Sequence, residues 1–407
     1  MAPLVTLDDV LAARELLSGV IRPTPLEPSR GFPPHAGERI FYKCENVQRA
    51  GAYKVRGAYV RIARLTDAER ARGVVAASAG NHAQGVALAA GLLGAKSTVF
   101  MPSGAPIPKV AATKGYGATV ELVGQTVDDA LDAARDFAER SGAVFIHPFD
   151  HPDVIAGQGT VALEILEQLP DVKTIITGVG GGGLVSGIGV VVKALRPDVR
   201  VIGVQAEGAA AFPPSLAENR LVRLPSVHTI ADGIKVSVPG QVTFEHVRHL
   251  VDEVVTVSDE DISHALLRLL ERSKLVVEPA GAVGVATLLA DPERFEGPVC
   301  VILSGGNIDP LLMLRVIEHG LTAAGRFLRF TVRCTDRPGV LAAILGLIAR
   351  AGGNVLDVMH QRHNPGLHLG EVAVELSVET RGDEHSARLT TELESAGYQL
   401  DFVRPQG

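Results

Sequence analysis

Thr174-Ile175-Ile176-Thr177-Gly178-Val179-Gly180-Gly181-Gly182-Gly183-Leu184 runs from a β-branched, apolar segment through four consecutive glycines into a segment of helical period that begins at Leu184. A strand covered on both faces and followed at once by a helix is the unit of a parallel α/β sheet. The turn between them needs one or two glycines. Further glycines only enlarge the entropy lost on folding, so the run Gly180–Gly183 predicts a second demand on this turn, namely backbone N–H groups free to converge on an anion at a helix N-terminus. A phosphate group meets that demand. The stretch also satisfies GxGxxG through Gly178, Gly180 and Gly183, with Glu207 near the end of the following strand, so on this motif alone a dinucleotide site competes.

Outward from this stretch, the same alternation extends from about residue 55 to residue 310. Ser97–Met101, Ala118–Leu122, Ala143–His147, Thr174–Val179, Arg200–Gln205 and Val299–Ser304 are near-continuous apolar runs that predict buried strands. Asp128–Arg140 and Asp261–Ser273 between them have the period of amphipathic helices. The C-terminal part differs. Phe327–Cys334, Asn354–His360 and Val372–Val378 predict strands, and Val372–Val378 alternates apolar and polar positions as a sheet with one wet face does. Helices are expected over Arg337–Ala351, with Thr335-Asp336 before it and Pro338 in its first turn, and over Asp383–Ser395, ahead of a final short strand. The order βαββαβ is that of a ferredoxin-like module.

Composition bounds the function. The 407 residues exceed what one core usually organises, which predicts two or three domains. A net charge of −7 gives no footprint for nucleic acid or an anionic membrane. No apolar run approaches a membrane span, and the N-terminus lacks the order of a signal peptide, so a cytoplasmic protein is expected. Cys44, Cys300 and Cys334 are far apart and form no CxxC pair; buried, reduced thiols are expected. His246/His249 and His360/His363 have i,i+3 spacing but lack the ligands that would complete a metal site, and no metal is expected.

Lys43-Cys44-Glu45-Asn46-Val47-Gln48-Arg49-Ala50-Gly51-Ala52-Tyr53-Lys54-Val55-Arg56-Gly57-Ala58 decides between the two anion readings. It resembles the lysine region of the fold-type II pyridoxal-phosphate enzymes, KxENxQxTGSFKxRGA, with Ala50, Ala52 and Tyr53 where Thr, Ser and Phe are usual. Further similarities follow in order. Ser78-Ala79-Gly80-Asn81-His82-Ala83-Gln84-Gly85 resembles the family's SxGNHxQG loop, Gly180–Leu184 its tetraglycine cup, Glu278-Pro279-Ala280-Gly281-Ala282 its EPAGA stretch, and Leu303-Ser304-Gly305-Gly306-Asn307 the segment facing the cofactor's pyridine nitrogen. The resemblance implies that Lys54 bears pyridoxal 5'-phosphate and serves as the catalytic base. Gly180, Gly181, Gly182, Gly183 and Leu184 would hold the phosphate, Asn81 the phenolic oxygen and Ser304 the ring nitrogen. Ser78, Ala79, Gly80, Asn81 and His82 would receive the substrate carboxylate, with Tyr53 and Glu278 beside the cofactor. A serine, unlike an aspartate, does not hold the ring nitrogen protonated, which suits β-elimination.

Thr229-Ile230-Ala231-Asp232-Gly233-Ile234 and Glu278–Ala282 resemble threonine/serine ammonia-lyases and serine racemases more than cysteine or tryptophan synthases. Racemase-type members bind a divalent cation with carboxylates where this chain has Gln205 and Ala211, and Val204-Gln205-Ala206-Glu207 looks more like the degradative threonine dehydratases. Asp336-Arg337-Pro338-Gly339-Val340-Leu341 resembles the DRPGxL signature of ACT domains, which bind amino acids in regulated enzymes. The expected organisation is a catalytic domain over 1–320 with a smaller subdomain at about 55–150 inserted in it, both built on open parallel sheets. A linker at 321–326 and an ACT-like regulatory domain over 327–407 follow. The implied activity is deamination of L-threonine to 2-oxobutanoate, with L-serine as a second substrate, an amino-acid effector and a homo-oligomeric state. A serine racemase on the same scaffold and an amino-acid sensor without turnover are the alternatives.

Overall fold

A computed structural model describes residues 4–32, 39–362 and 367–402 of the chain. Two compact units divide it, Met1–Asp309 and Pro310–Gly407.

The first unit contains two sheets. In the larger, Leu26–Pro28, Ile40–Lys43, Val299–Ile302, Thr174–Gly178, Arg200–Ala206 and Glu253–Val257 lie side by side in that order. All neighbours are parallel except the first pair. The smaller is wholly parallel, in the order Thr119–Leu122, Ser97–Met101, Val74–Ala77, Val144–Phe145. Every residue of Val299–Ile302 and Val74–Ala77 is buried, as expected for strands with helices on both faces. Because Val299–Ile302 and Thr174–Gly178 are adjacent and parallel, the loops that leave them, Leu303–Asn307 and Val179–Gly182, emerge at the same edge of the sheet. Ligands of open α/β sheets bind at such an edge.

Close helix crossings fix the rest. Helix Pro152–Gln168 packs on helix Lys54–Ala63 so tightly that a Cβ on Gly157 would lie 2.6 Å from the Gly57 Cα. The same helix meets Gly183–Leu195 at Gly159, where a Cβ would fall 2.9 Å from the Gly187 carbonyl oxygen. One helix therefore registers the segment that starts at Lys54 against the segment that starts at the glycine run.

The second unit is a four-stranded antiparallel sheet in the order Asn354–Gln361, Glu371–Glu379, Phe327–Thr335, Gln399–Phe402. Helices Val340–Ala351 and Asp383–Ser395 cover one face through Ile344, Ile348, Leu389 and Leu393, which join Phe330, Val332, Val374 and Leu376 in one core. The first of these helices begins at Val340 rather than Arg337. Gly339 has φ +90°, outside the helical region, and the turn can start only after it. Helix Pro310–Ala323 belongs to this unit.

The expected Asp261–Ser273 helix is an α-helix over Asp259–Arg268, opened by a Ser258/Asp261 capping box, that widens to a π turn at Leu269–Ser273. Cys44 and Cys300 are buried and Cys334 is partly exposed. Among the described residues no helix is long and apolar enough to cross a membrane. His246 is engaged within the fold: its Nδ1 bonds the Val242 carbonyl at 2.8 Å and its Nε2 accepts from the Val5 amide at 2.8 Å. His360 lies on strand Asn354–Gln361, and His363 is outside the described residues.

Candidate active site

Lys54 is the first residue of its helix, and the chain reaches it through a sharp reversal. Ala50 (φ 58°) and Gly51 (φ 68°) are both left-handed, and a Cβ on Gly51 would overlap the Asn307 side chain. The reversal is then pinned to the loop after Val299–Ile302. Tyr53 N donates to the Ser304 carbonyl at 3.2 Å, Gly306 N donates to the Gly51 carbonyl at 2.9 Å, and Ala52 and Gly305 form a β-bridge. Lys54 and Ser304, 250 positions apart in sequence, are thus held together by main chain.

Beneath the reversal lies a buried ion network. The Arg56 guanidinium is bidentate on Glu45, at 2.8 and 2.7 Å, and its remaining nitrogen reaches Glu164 at 2.7 Å and Thr160 at 3.1 Å. Lys43 Nζ donates to Glu164 at 2.5 Å, to Gln168 at 2.9 Å and to the Thr24 carbonyl at 2.8 Å. Lys43, Glu45 and Arg56 are without solvent exposure. Although burial pushes the Glu164 carboxyl up, Arg56 and Lys43 together hold it below the usual range.

The Lys54 ammonium donates to the Pro148 carbonyl at 2.9 Å and lies 5.2 Å from the centre of the Tyr53 ring. Burial pushes its pKa down to about 8, against the opposing pull of Glu278. Burial likewise raises the Tyr53 hydroxyl above its ordinary value. The residue after Pro148 closes the arrangement: the Phe149 ring lies on the glycine run, where a Cβ on Gly181 would overlap it and a Cβ on Gly183 would meet its Cβ at 3.0 Å. Gly182 is left-handed (φ 98°) and faces the Phe212 ring. Among the described residues none accepts a hydrogen bond from the amides of Gly180, Gly181 or Gly182, and the first-turn amides of helix Gly183–Leu195 are free by geometry. Gly181, Gly182 and Gly183 are buried. Buried donors without a partner at a helix start suit an anion.

Asn81 opens helix Asn81–Leu92, directly after strand Val74–Ala77 and the loop Ser78–Gly80, in which Gly80 N donates to Ser78 Oγ at 3.1 Å. Gly85 of this helix lies on the Lys54 main chain, 3.1 Å from its carbonyl carbon to the position a Cβ would take. The Asn81 side chain bridges the two sheets' loops, donating to Glu278 Oε1 at 2.5 Å and accepting from Asn307 Nδ2 at 2.8 Å. Glu278 is buried; desolvation pushes its pKa up to about 7, with the Asp232 carboxylate adding to the rise and Lys109, Asn81 and Lys54 opposing it. Buried His82 bonds the Ile146 carbonyl through Nε2 at 2.8 Å, and burial and the Lys54 charge lower its pKa to about 3, so it is neutral. His147 is lowered by burial to about 4.

Residues 17–305 match the family described as "Pyridoxal-phosphate dependent enzyme", and residues 329–397 match the ACT domain. The chain belongs to the pyridoxal-phosphate-dependent enzymes. It is 45% identical over 400 residues to the L-threonine ammonia-lyase of Thermotoga maritima, covering 98% of this chain and 100% of that protein. The processed form of threonine deaminase isoform 2 from Solanum lycopersicum superposes with a TM-score of 0.74 at 37% identity, over 77% of this chain and 86% of that one. Maize serine racemase superposes with 0.73 at 36% identity, over 79% and 99%.

The residues present fit the family's cofactor. The glycine run offers unpartnered, buried amides with no room for side chains, and a partly desolvated lysine bonds the carbonyl of Pro148, the residue before the phenylalanine that packs on the run. Three participants escaped the sequence reading. Asn307 could have been found, since it ends the Ser304 segment and donates to both Asn81 and the Ala50 carbonyl. Lys109, buried on helix Ile107–Gly115, pairs with Asp232 near Glu278, and neither spacing nor type marked it. Pro148 takes part through a carbonyl oxygen, which no residue letter signals.

Proposed function

We propose that this enzyme deaminates L-threonine to 2-oxobutanoate and ammonia by loss of water, and L-serine to pyruvate in the same way. The observation that carries the reading is the likeness, over 98% of the chain, to an L-threonine ammonia-lyase, on a site whose lysine, asparagine, serine and glycine run have the partners described above.

When bound, pyridoxal phosphate supplies the electron-poor ring that takes up negative charge from the substrate α-carbon. The amides of Gly180–Gly183 and Leu184 would hold the phosphate, their charge preference set by the helix start. Lys54 would be the cofactor's anchor and its amine the base for the α-proton; its pKa of about 8 keeps an appreciable fraction neutral near pH 7. Asn81 is held by Glu278 and Asn307, and would bind the phenolic oxygen. Ser304 offers the ring nitrogen a neutral hydroxyl. The loop Ser78–His82 receives the substrate carboxylate on amides at a helix start, with His82 kept uncharged. Tyr53 and Glu278 complete the wall. In this reading the catalytic domain spans 1–320, the ACT-like domain 327–407 binds an amino-acid effector, and the enzyme is a cytoplasmic homo-oligomer.

The lysine chemistry has a pH signature. Capture of added pyridoxal phosphate by the apo-protein needs the neutral Lys54 amine, so the capture rate should rise with pH and level off above about 8. An ordinary lysine would level off only above about 10.4. Stopped-flow absorbance across this range measures it, and a midpoint near the ordinary value would show that Lys54 is not the desolvated group described.

Steady-state turnover of L-threonine and L-serine, with and without isoleucine and valine, tests the activity. Formation of 2-oxobutanoate from threonine is the expected result. The similarity to maize serine racemase supports a second reading on the same scaffold, and chiral analysis decides it: D-serine formed faster than pyruvate would replace the lyase with a racemase.

A further inference from the structure

Asp150 ends the segment His147–Asp150, whose Pro148 carbonyl holds Lys54 and whose Phe149 ring lies on the glycine run. Its carboxylate serves a helix far along the chain: Oδ2 accepts from the Gln241 amide at 3.0 Å, and Oδ1 from the Val242 and Thr243 amides at 2.8 and 3.1 Å. These are the first three amides of helix Gln241–Leu250, which has no side-chain cap of its own because Gly240 precedes it. A Cβ on Gly240 would lie 2.4 Å from Asp150 Oδ1, so the glycine leaves room for the distant carboxylate. The segment is fixed from its own side as well, where neutral His147 accepts through Nδ1 from the Phe149 amide at 3.3 Å and the Asp150 amide at 2.8 Å. The capped turn bears directly on the glycine run. Thr243 is without solvent exposure, and its hydroxyl donates to the Gly181 carbonyl at 2.5 Å. In a trans peptide the carbonyl and the following N–H point to opposite sides, so turning the Gly181 oxygen toward Thr243 turns the Gly182 N–H away from it. That N–H is one of the donors without a partner among the described residues.

We infer that Asp150 is a positioning residue for the glycine cup: by capping helix Gln241–Leu250 from outside, it fixes Thr243, and through Thr243 the direction of the Gly182 amide, relative to the segment that holds Lys54. The inference rests on the reading of Gly180–Gly183 as the phosphate site. Asp150→Ala leaves three helix amides without their acceptor and cuts the tie between the helix and the Pro148 segment. Thr243→Val keeps the shape and the cap but frees the Gly181 carbonyl. Asp150→Asn keeps an oxygen for the Val242 and Thr243 amides, and asparagine caps a helix as well as aspartate does.

The test is titration of apo-protein with pyridoxal phosphate, followed by absorbance, for wild type, the three single variants and Asp150→Ala/Thr243→Val, alongside thermal unfolding of each apo-protein. Asp150→Ala should bind about tenfold more weakly or worse, as expected when several donors lose their partner. Thr243→Val should bind severalfold more weakly, and Asp150→Asn should recover most of what Asp150→Ala loses. Because Asp150 acts through Thr243, the double variant should bind within about twofold of Asp150→Ala instead of showing the product of the two losses. Thr126→Ala controls for the loss of a cap as such. Thr126 caps helix Val127–Ser141 by accepting from the Asp129 amide at 3.1 Å, so its removal should lower the melting temperature and leave cofactor affinity within about twofold of wild type. The inference is overturned by Asp150→Ala binding within about twofold of wild type, by a double variant that shows the full product, by Asp150→Asn no better than Asp150→Ala, or by Thr126→Ala weakening binding equally. Should Asp150→Ala fail to fold, Thr243→Val decides alone, and binding as tight as wild type overturns the inference. Failure of the wild type to bind pyridoxal phosphate would overturn the phosphate reading itself and is seen before any variant is compared.

Discussion

Lys54→Ala should lose the visible absorbance of lysine-bound cofactor and at least about 10⁴-fold of turnover, because a covalent anchor and a general base disappear together. The fold should survive. The side chain makes one hydrogen bond, to the Pro148 carbonyl, and burial already disfavours its charge, so the lost bond, worth about 1 kcal/mol, is offset by relief of desolvation. The apo-variant is therefore expected to unfold within about 1 kcal/mol of wild type. The phosphate amides are untouched, and inorganic phosphate or the cofactor should still bind there without the covalent link. Absorbance of the purified variant, denaturation of its apo form and a single-turnover assay separate these effects. A variant that kept the lysine-bound spectrum would move the anchor elsewhere.

Arg56→Met should cost about 3–5 kcal/mol of stability, the range for removing one partner of a buried ion pair. Glu45 is without exposure and both its oxygens are held by Arg56, so the substitution strands a carboxylate whose remaining side-chain partner, among the described residues, is the Thr24 hydroxyl. Glu164 loses one of its two cationic partners. Adding Glu45→Met should recover much of the loss, since an apolar pair of similar volume commonly matches a buried ion pair. Arg56→Lys should not recover it, because an ammonium cannot span both oxygens of Glu45 while reaching Glu164. Chemical denaturation of the apo-proteins measures all three; a loss below about 1 kcal/mol in Arg56→Met would mean the network is solvated. Cofactor affinity should fall as well, since Arg56 lies two residues beyond Lys54 on the same helix.

Much of this architecture was legible from apolar runs. Ser97–Met101 has the predicted bounds, and Thr174–Gly178, Arg200–Ala206 and Val299–Ile302 differ from prediction only at their ends. Val74–Ala77 was not singled out, because a short run half made of alanine fits a helix as well as a strand. Ile40–Lys43 carries a lysine into the core, against the usual expectation for that residue, and Glu164, with Gln168 and the Thr24 carbonyl, makes it tolerable. The site shows the same division. Lys54, Asn81, Ser304 and the glycine run announce themselves in local motifs, and the fold supplies what no motif holds. The Asn81–Glu278, Asn81–Asn307 and Lys109–Asp232 contacts join residues separated by 197, 226 and 123 positions. Such contacts exist only once the fold has brought the loops of the two sheets together.

The ion network beneath Lys54 divides the labour of the Lys43–Ala58 stretch. Lys43, Glu45 and Arg56 face inward and are joined into one network through Glu164; Lys54 alone among its charged residues stands beside the glycine run through Pro148 and Phe149. A descendant of such a chain could exchange Lys54, keep every other letter of the stretch, and still fold into a full-sized protein that transforms nothing. The stretch as a whole is thus a signature of scaffold, and retired enzymes of this architecture should be sought by one missing amine within an otherwise intact motif.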